Sequence, residues 1–166
     1  MNDRRPATDA EARALASAVR LRILRLCLDR ALTNKEIAER LGANPATTLH
    51  HVRTLVGTGF LAAQPERRGT RGAREVPYLA TRKSWALDVG DAAGTEQAMI
   101  DAFLTEVRLA DITGLSRLGL RLTESGLHEL RDRIEAILDE YAARPPDPDG
   151  QAYSVFFALY HDASRD

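Results

Sequence analysis

Residues 33–61 read TNKEIAERLGANPATTLHHVRTLVGTGFL, and the organisation of the 166-residue chain follows from this stretch. Thr33 stands where a helix wants an N-cap, and Glu36 follows three residues on. That pairing is a capping box, worth roughly 1 kcal/mol to a helix start. Ile37, Ala38 and Leu41 fall on one face at helical spacing. Gly42 sits where a helix end takes a left-handed residue. Asn44 and Pro45 then supply a second N-cap and a first helical position that needs no N–H. Thr48, Val52, Leu55 and Val56 make the apolar stripe of this second helix. Thr47, His50, His51, Arg53 and Thr54 point mostly away from it.

A helix with Thr, His, His and Arg outside, held by a short turn against a supporting helix, has the layout of a helix-turn-helix. In that layout the second helix enters the DNA major groove with its first residues near base edges. A plain αα-hairpin gives the same two-helix pattern, so the surrounding chain has to decide between them.

The charge distribution favours the first reading. The net charge is −1, but residues 1–85 hold 16 Lys and Arg against 8 Asp and Glu, a balance of +8. Residues 86–166 hold 7 against 16, a balance of −9. A basic half carrying the two-helix motif and an acidic half behind it read as a nucleic-acid end and a second end that phosphate repels. The expected division is a DNA-binding domain at 1–85 and a dimerisation and effector region at 86–166.

At 44% hydrophobic residues the chain can bury a core. No apolar run approaches the ~20 residues that span a bilayer, so no membrane partner is expected. The opening MNDRRPATDAEAR lacks an apolar signal core, and the expected compartment is the cytoplasm. Cys27, the one cysteine, lies in an apolar helix face and reads as a buried, inert thiol.

Residues 1–7 read as a frayed end. A helix starts from Thr8 or Asp9, Ser17 breaks or recaps it, and a second apolar pattern runs through Val19, Ile23, Leu24, Cys27 and Leu28. Beyond the motif, 59–63 and 76–81 read as strands joined by PERRGTRGARE. Arg67, Arg68, Arg71 and Arg74 crowd that loop beside Gly69 and Gly72. Such a hairpin is a wing, whose arginines follow the backbone or enter a minor groove; the bland alternative is a solvated loop. Thr95 is expected to cap a helix with Ile100, Phe103, Leu104 and Val107 in its stripe, a face suited to pairing with a second subunit. Leu118–Leu122 then reads as a strand, 124–143 as a long amphipathic helix, and YSVFFALYH at 153–161 as a returning strand, with a short helix as the alternative.

ALASAVRLRILRLC, TNKEIAERLG, NPATTLHHVRTLVGTGFL and the Arg-Gly wing together resemble the arsenic-repressor (ArsR) family of bacterial winged-helix regulators, over residues 10–85. The resemblance implies a homodimeric transcription factor, usually a repressor, on an imperfect palindrome. By position it makes Thr47, His50, His51 and Arg53 DNA-facing, while Leu49 departs from the small polar residue often found there. It adds no metal: the paired cysteines and Asp/His pairs of metal-sensing members are missing, and a thiolate site needs two or three Cys. The C-terminal region looks like that of a non-metal subgroup.

The expected fold is therefore mainly α, of α+β class: a winged helix-turn-helix with a C-terminal helical and small α+β dimerisation region. DNA contacts are expected from Asn44, Thr47, Thr48, His50, His51, Arg53, Arg67, Arg68, Arg71 and Arg74. The dimer contact is expected from Leu15, Ile100, Phe103, Leu104 and Val107. No cofactor and no catalytic group is expected; GxGxxG, P-loop and GxSxG patterns are absent. Two other readings use the same residues: a sensor whose small-molecule effector binds in 86–166, and a winged module that binds protein.

Overall fold

Thr8 does cap the first helix. Its hydroxyl accepts from the Glu11 N–H and the Glu11 carboxylate accepts from the Thr8 N–H, so α1 (Asp9–Leu15) opens on a capping box. The computed structural model describes residues 4–69, 72–90 and 94–165. They fall into two compact units, Met1–Thr113 and Gly114–Asp166.

In the first unit Ser17 recaps the chain and α2 (Ala18–Leu26) follows. The side chain of Arg20 turns back onto the carbonyls of Ala14 at 2.5 Å and Arg13 at 2.6 Å. It thereby satisfies acceptors that the end of α1 leaves open. Strand β2 (Leu32–Thr33) leads into α3 (Asn34–Leu41), then α4 (Pro45–Gly57). The wing is built from β3 (Leu61–Ala63), β4 (Arg67–Arg68), β5 (Arg74–Glu75) and β6 (Pro77–Ala80). A central antiparallel sheet runs β2-β6-β3, with Leu61 opposite Ala80 and Leu32 opposite Tyr78. The β4–β5 pair extends the hairpin outward.

The core joins every helix of the motif. Ile23, Cys27, Leu32, Ile37, Val52, Leu55, Phe60 and Leu61 form one fully buried cluster. Each large side chain there contributes about 1.5–3 kcal/mol relative to exposure. Val56, placed by its spacing on the buried stripe of α4, is instead 37% exposed.

The N-terminus is not frayed where the structure describes it. In sequence order, β1 (Arg5–Pro6) lies parallel to β7 (Leu87–Asp88), which follows a 3-10 turn at Lys83–Ala86. Arg5 and Lys83 both pair with the buried Glu11, at 2.6 and 2.5 Å. These bonds and the Thr8 N–H hold the Glu11 carboxyl well below the usual carboxylate range, with Arg5 the largest influence and Lys83 the next.

Helix α5 (Thr95–Val107) packs on α1 and α2 within this unit. Thr95 does not cap it. Gly94, at φ 88°, takes the N-cap, a left-handed conformation glycine adopts without a Cβ penalty. Thr95 is the first helical residue and is buried with Ala98 and Ala102. This small-residue face lets α5 approach closely.

The second unit holds α6 (Glu124–Ala143), capped by Thr123 through the Gly126 N–H, and a 3-10 turn at Ala163–Arg165. The strands expected at 118–122 and 153–161 do not form, nor does the alternative short helix at 153–161. Alternation alone does not make a strand, which also needs a ladder neighbour and a face to bury. Here Leu118, Tyr153 and Val155 stay exposed, and no described residue of this unit is fully buried. Among the described residues no helix is long and apolar enough to cross a membrane.

Candidate nucleic-acid interface

The turn between α3 and α4 is tied by backbone and side chain together. Gly42, at φ 62°, closes α3, and the Ala43 N–H reaches the Ala38 carbonyl at 2.9 Å. Asn44 caps α4 by accepting from the Ala46 N–H at 2.8 Å, with Pro45 in the first turn. The Asn34 amide, at the start of α3, donates to the Pro45 carbonyl at 2.9 Å. The starts of the supporting and outer helices are therefore pinned to each other.

On α4, Thr47, His50 and Arg53 are exposed at three-residue intervals, with Asn44 exposed at the head of the row. This is the face the sequence reading expects. Two residues expected among the DNA contacts stand off it, Thr48 on the buried stripe where its spacing puts it. Thr48 is 1% exposed and its hydroxyl donates back to the Asn44 carbonyl at 3.0 Å, so its side chain is part of the core. His51 is half-buried, because adjacent helical residues point about 100° apart. Its Nδ1 is buried without a hydrogen bond among the described residues. Burial, then the charges of Arg20 and His50, hold its pKa below the ordinary histidine value. The ring stands at the edge of the outer face.

The wing arginines divide by what holds them. Arg67 donates to both carboxylate oxygens of Glu36, at 2.9 and 2.8 Å. Glu36 is already the capping-box residue of α3, accepting from the Thr33 N–H at 2.7 Å. Desolvation is the largest single influence on Glu36 and pushes its pKa up; the Thr33 bonds and Arg67 outweigh it and leave the carboxyl below its usual value. One carboxylate thus joins the root of the wing to the helix-turn-helix. Sequence reading missed this link, because the two residues are far apart in the chain. Arg74 lies 3.5 Å from Glu66 with its side chain 85% exposed. Arg68 is exposed directly opposite Arg74 in the ladder. Like charges facing across a strand pair destabilise it unless an anion lies between or beside them. Arg71 lies outside the described residues.

The dimer residues divide similarly. Leu15 is 4% exposed, in the core between α1 and the motif, and its side chain does not reach the surface. Ile100 and Leu104 are each 41% exposed on α5, with Phe103 and Val107 half-buried beside them. Cys27 is fully buried, and burial is the first cause that raises its thiol pKa to about 11. Among the described residues no group of three His, Cys, Asp or Glu is placed to hold a metal.

A helix-turn-helix domain model matches residues 15–63, the stretch from the end of α1 to β3. No curated protein matches the sequence. Among solved structures, reduced HlyU from Vibrio cholerae is similar at 21% identity, covering 57% of this chain and 84% of that one, with a TM-score of 0.37. A ZitR mutant from Lactococcus lactis is similar at 21% identity, covering 74% and 73%, TM-score 0.35. A possible transcriptional regulator from Methanosarcina mazei is similar at 14% identity, covering 80% and 86%, TM-score 0.38. Likeness at these levels brings no function with it.

Proposed function

We propose that this chain is a sequence-specific, double-stranded-DNA-binding transcription regulator of the ArsR-like kind, acting in the cytoplasm as a homodimeric repressor. The observation that carries the reading is the α4 face. Thr47, His50 and Arg53 stand exposed in a row whose N-terminal end is fixed by Asn44 and by the bond from Asn34 to Pro45. That is the geometry in which a recognition helix offers hydroxyl, imidazole and guanidinium to base edges and phosphates. The helix-turn-helix match over residues 15–63 supports it. So does the exposed Arg68–Arg74 pair, where two cations face each other with the Glu66 carboxylate beside Arg74, a setting that favours an added anion.

In this reading each subunit lays α4 in one major groove, and the wing arginines hold flanking phosphates. A second subunit, joined through Ile100, Phe103, Leu104 and Val107 of α5, reads the other half of a palindrome roughly one helical turn or a multiple away. Residues 1–85 do the DNA reading, and 86–166 do the pairing. Repression follows from occupying the operator in competition with the transcription machinery.

Selection of bound fragments from random duplex DNA, with the purified chain at stated salt, tests this directly. A two-fold symmetric motif is the expected product. Recovery of unenriched sequence at every salt concentration removes the reading.

A further inference from the structure

Four of the charges on helix α6 and its C-cap stand in an order that, read backwards, is the same with every sign exchanged. Glu129, Arg133, Glu140 and Arg144 are all exposed, and their spacing is symmetric about a point between Ala136 and Ile137. Within one chain they pair locally, Arg133 with Glu129 at 3.4 Å and Arg144 with Glu140. Beside this charged edge, Ile137 and Tyr141 are 55% and 62% exposed. With Leu127, Leu130 and Ile134 they repeat at alternating intervals of three and four, the spacing of a helix–helix seam.

We infer that α6 pairs antiparallel with α6 of a second copy of this chain, about a twofold axis beside Ile137. In that arrangement Arg133 meets the partner's Glu140 and Glu129 meets the partner's Arg144, each contact occurring twice. The local pairs become one continuous network of alternating charge along the edge where the two charged strips meet. In a parallel pair the charged edges of the two copies lie on opposite sides of the seam and do not meet, so these four charges find their complements only in the antiparallel form. The antiparallel form is also isologous and closes at two copies. The same face does not suit an anionic lipid surface: α6 contains six carboxylates against two arginines. Pairing also gives cover to a unit in which no described residue is fully buried. This surface is separate from the α5 face of the functional reading and rests on different residues.

Two experiments on the full chain test it. Ile137→Cys is expected to form an intermolecular disulfide on mild oxidation, while Asp132→Cys on the opposite side of α6 is not. Leu104→Cys reports the α5 face independently. Cross-linking of Ile137→Cys without Leu104→Cys keeps the α6 pairing and removes α5 from the dimer; an uncross-linked Ile137→Cys overturns the α6 pairing whatever Leu104→Cys does. In sedimentation, Arg133→Glu and Glu140→Arg are each expected to weaken self-association about tenfold, since each creates two like-charge contacts. The double variant is expected to return to within about threefold of the parent. All three chains should melt cooperatively, because both side chains are exposed. A double variant no tighter than the single ones overturns the pairing.

Discussion

Arg68 and Arg74 face each other as cross-strand neighbours in the two-residue ladder of the wing. Glu66, 3.5 Å from Arg74, relieves part of their repulsion, and in the proposed DNA complex a phosphate beside the wing relieves the rest. Arg68→Ala is therefore expected to weaken binding to operator and random duplex alike, and to lower the slope of log affinity against log salt by about 1. Arg71→Ala is expected to do the same. Titrations at several salt concentrations decide it, and an unchanged slope in both variants takes the wing off the DNA.

Arg67 is expected to behave differently from Arg68, because Glu36 already holds it. Arg67→Ala should lower DNA affinity through a misplaced wing and leave the salt slope nearly unchanged. Glu36→Ala removes the capping acceptor as well, and is expected to cost about 1 kcal/mol of stability. The coupling between Glu36 and Arg67 in a double-mutant cycle should stay below about 1 kcal/mol, since the pair is partly exposed and screened. A full loss of slope in Arg67→Ala would make it a phosphate contact instead.

Thr47→Ala and His50→Ala should relax sequence preference more than affinity. Each is expected to cost about 1–3 kcal/mol at a contacted base pair and much less on random duplex. Competition binding against single-base operator variants reads the difference. Equal losses on both kinds of DNA would move these side chains to the backbone.

Glu11 links stability to pH. Its folded-state pKa is depressed by Arg5, Lys83 and Thr8, so its stabilisation is fully present above the unfolded carboxylate value, near 4.3. It is lost as pH falls from there towards the lower folded-state value. Glu11→Gln is thus expected to lower Tm at pH 7. The gap from the parent should close as melts are repeated from pH 5 downwards. A gap independent of pH would mean that the carboxylate charge contributes nothing.

Cys27 should be silent in the native state. Its thiol is fully buried with a pKa raised to about 11, so little thiolate exists near neutrality and no reagent reaches it. A thiol-reactive dye is expected to label it only at the rate of unfolding. Labelling in native buffer at the rate of a free thiol would place it at the surface.

The local signals of the first unit were readable because they are short-range. Thr33 with Glu36, Gly42, and Asn44 with Pro45 each act within one turn of helix. Links that close over long separations were not readable. Arg67 to Glu36, Lys83 to Glu11 and β1 to β7 need the fold before they exist. Burial within a helix was legible only to the nearest face: Thr48 is buried where its spacing puts it, while His51 falls partly inside the boundary and Val56 outside it. In the second unit, alternation of Leu118, Leu120 and Leu122 marked a β-prone segment. It could not say whether one chain supplies the neighbour that a strand requires.

Because Arg5–Pro6 runs alongside Leu87–Asp88, the polypeptide enters the first unit at the place where it leaves the wing. A segment with adjacent ends can be relinked head to tail, or spliced into a surface loop of a host protein, without tearing any helix it contains. A graft of residues 5–88 has to carry α5 along with it, because that helix packs on α1 and α2 of the same unit.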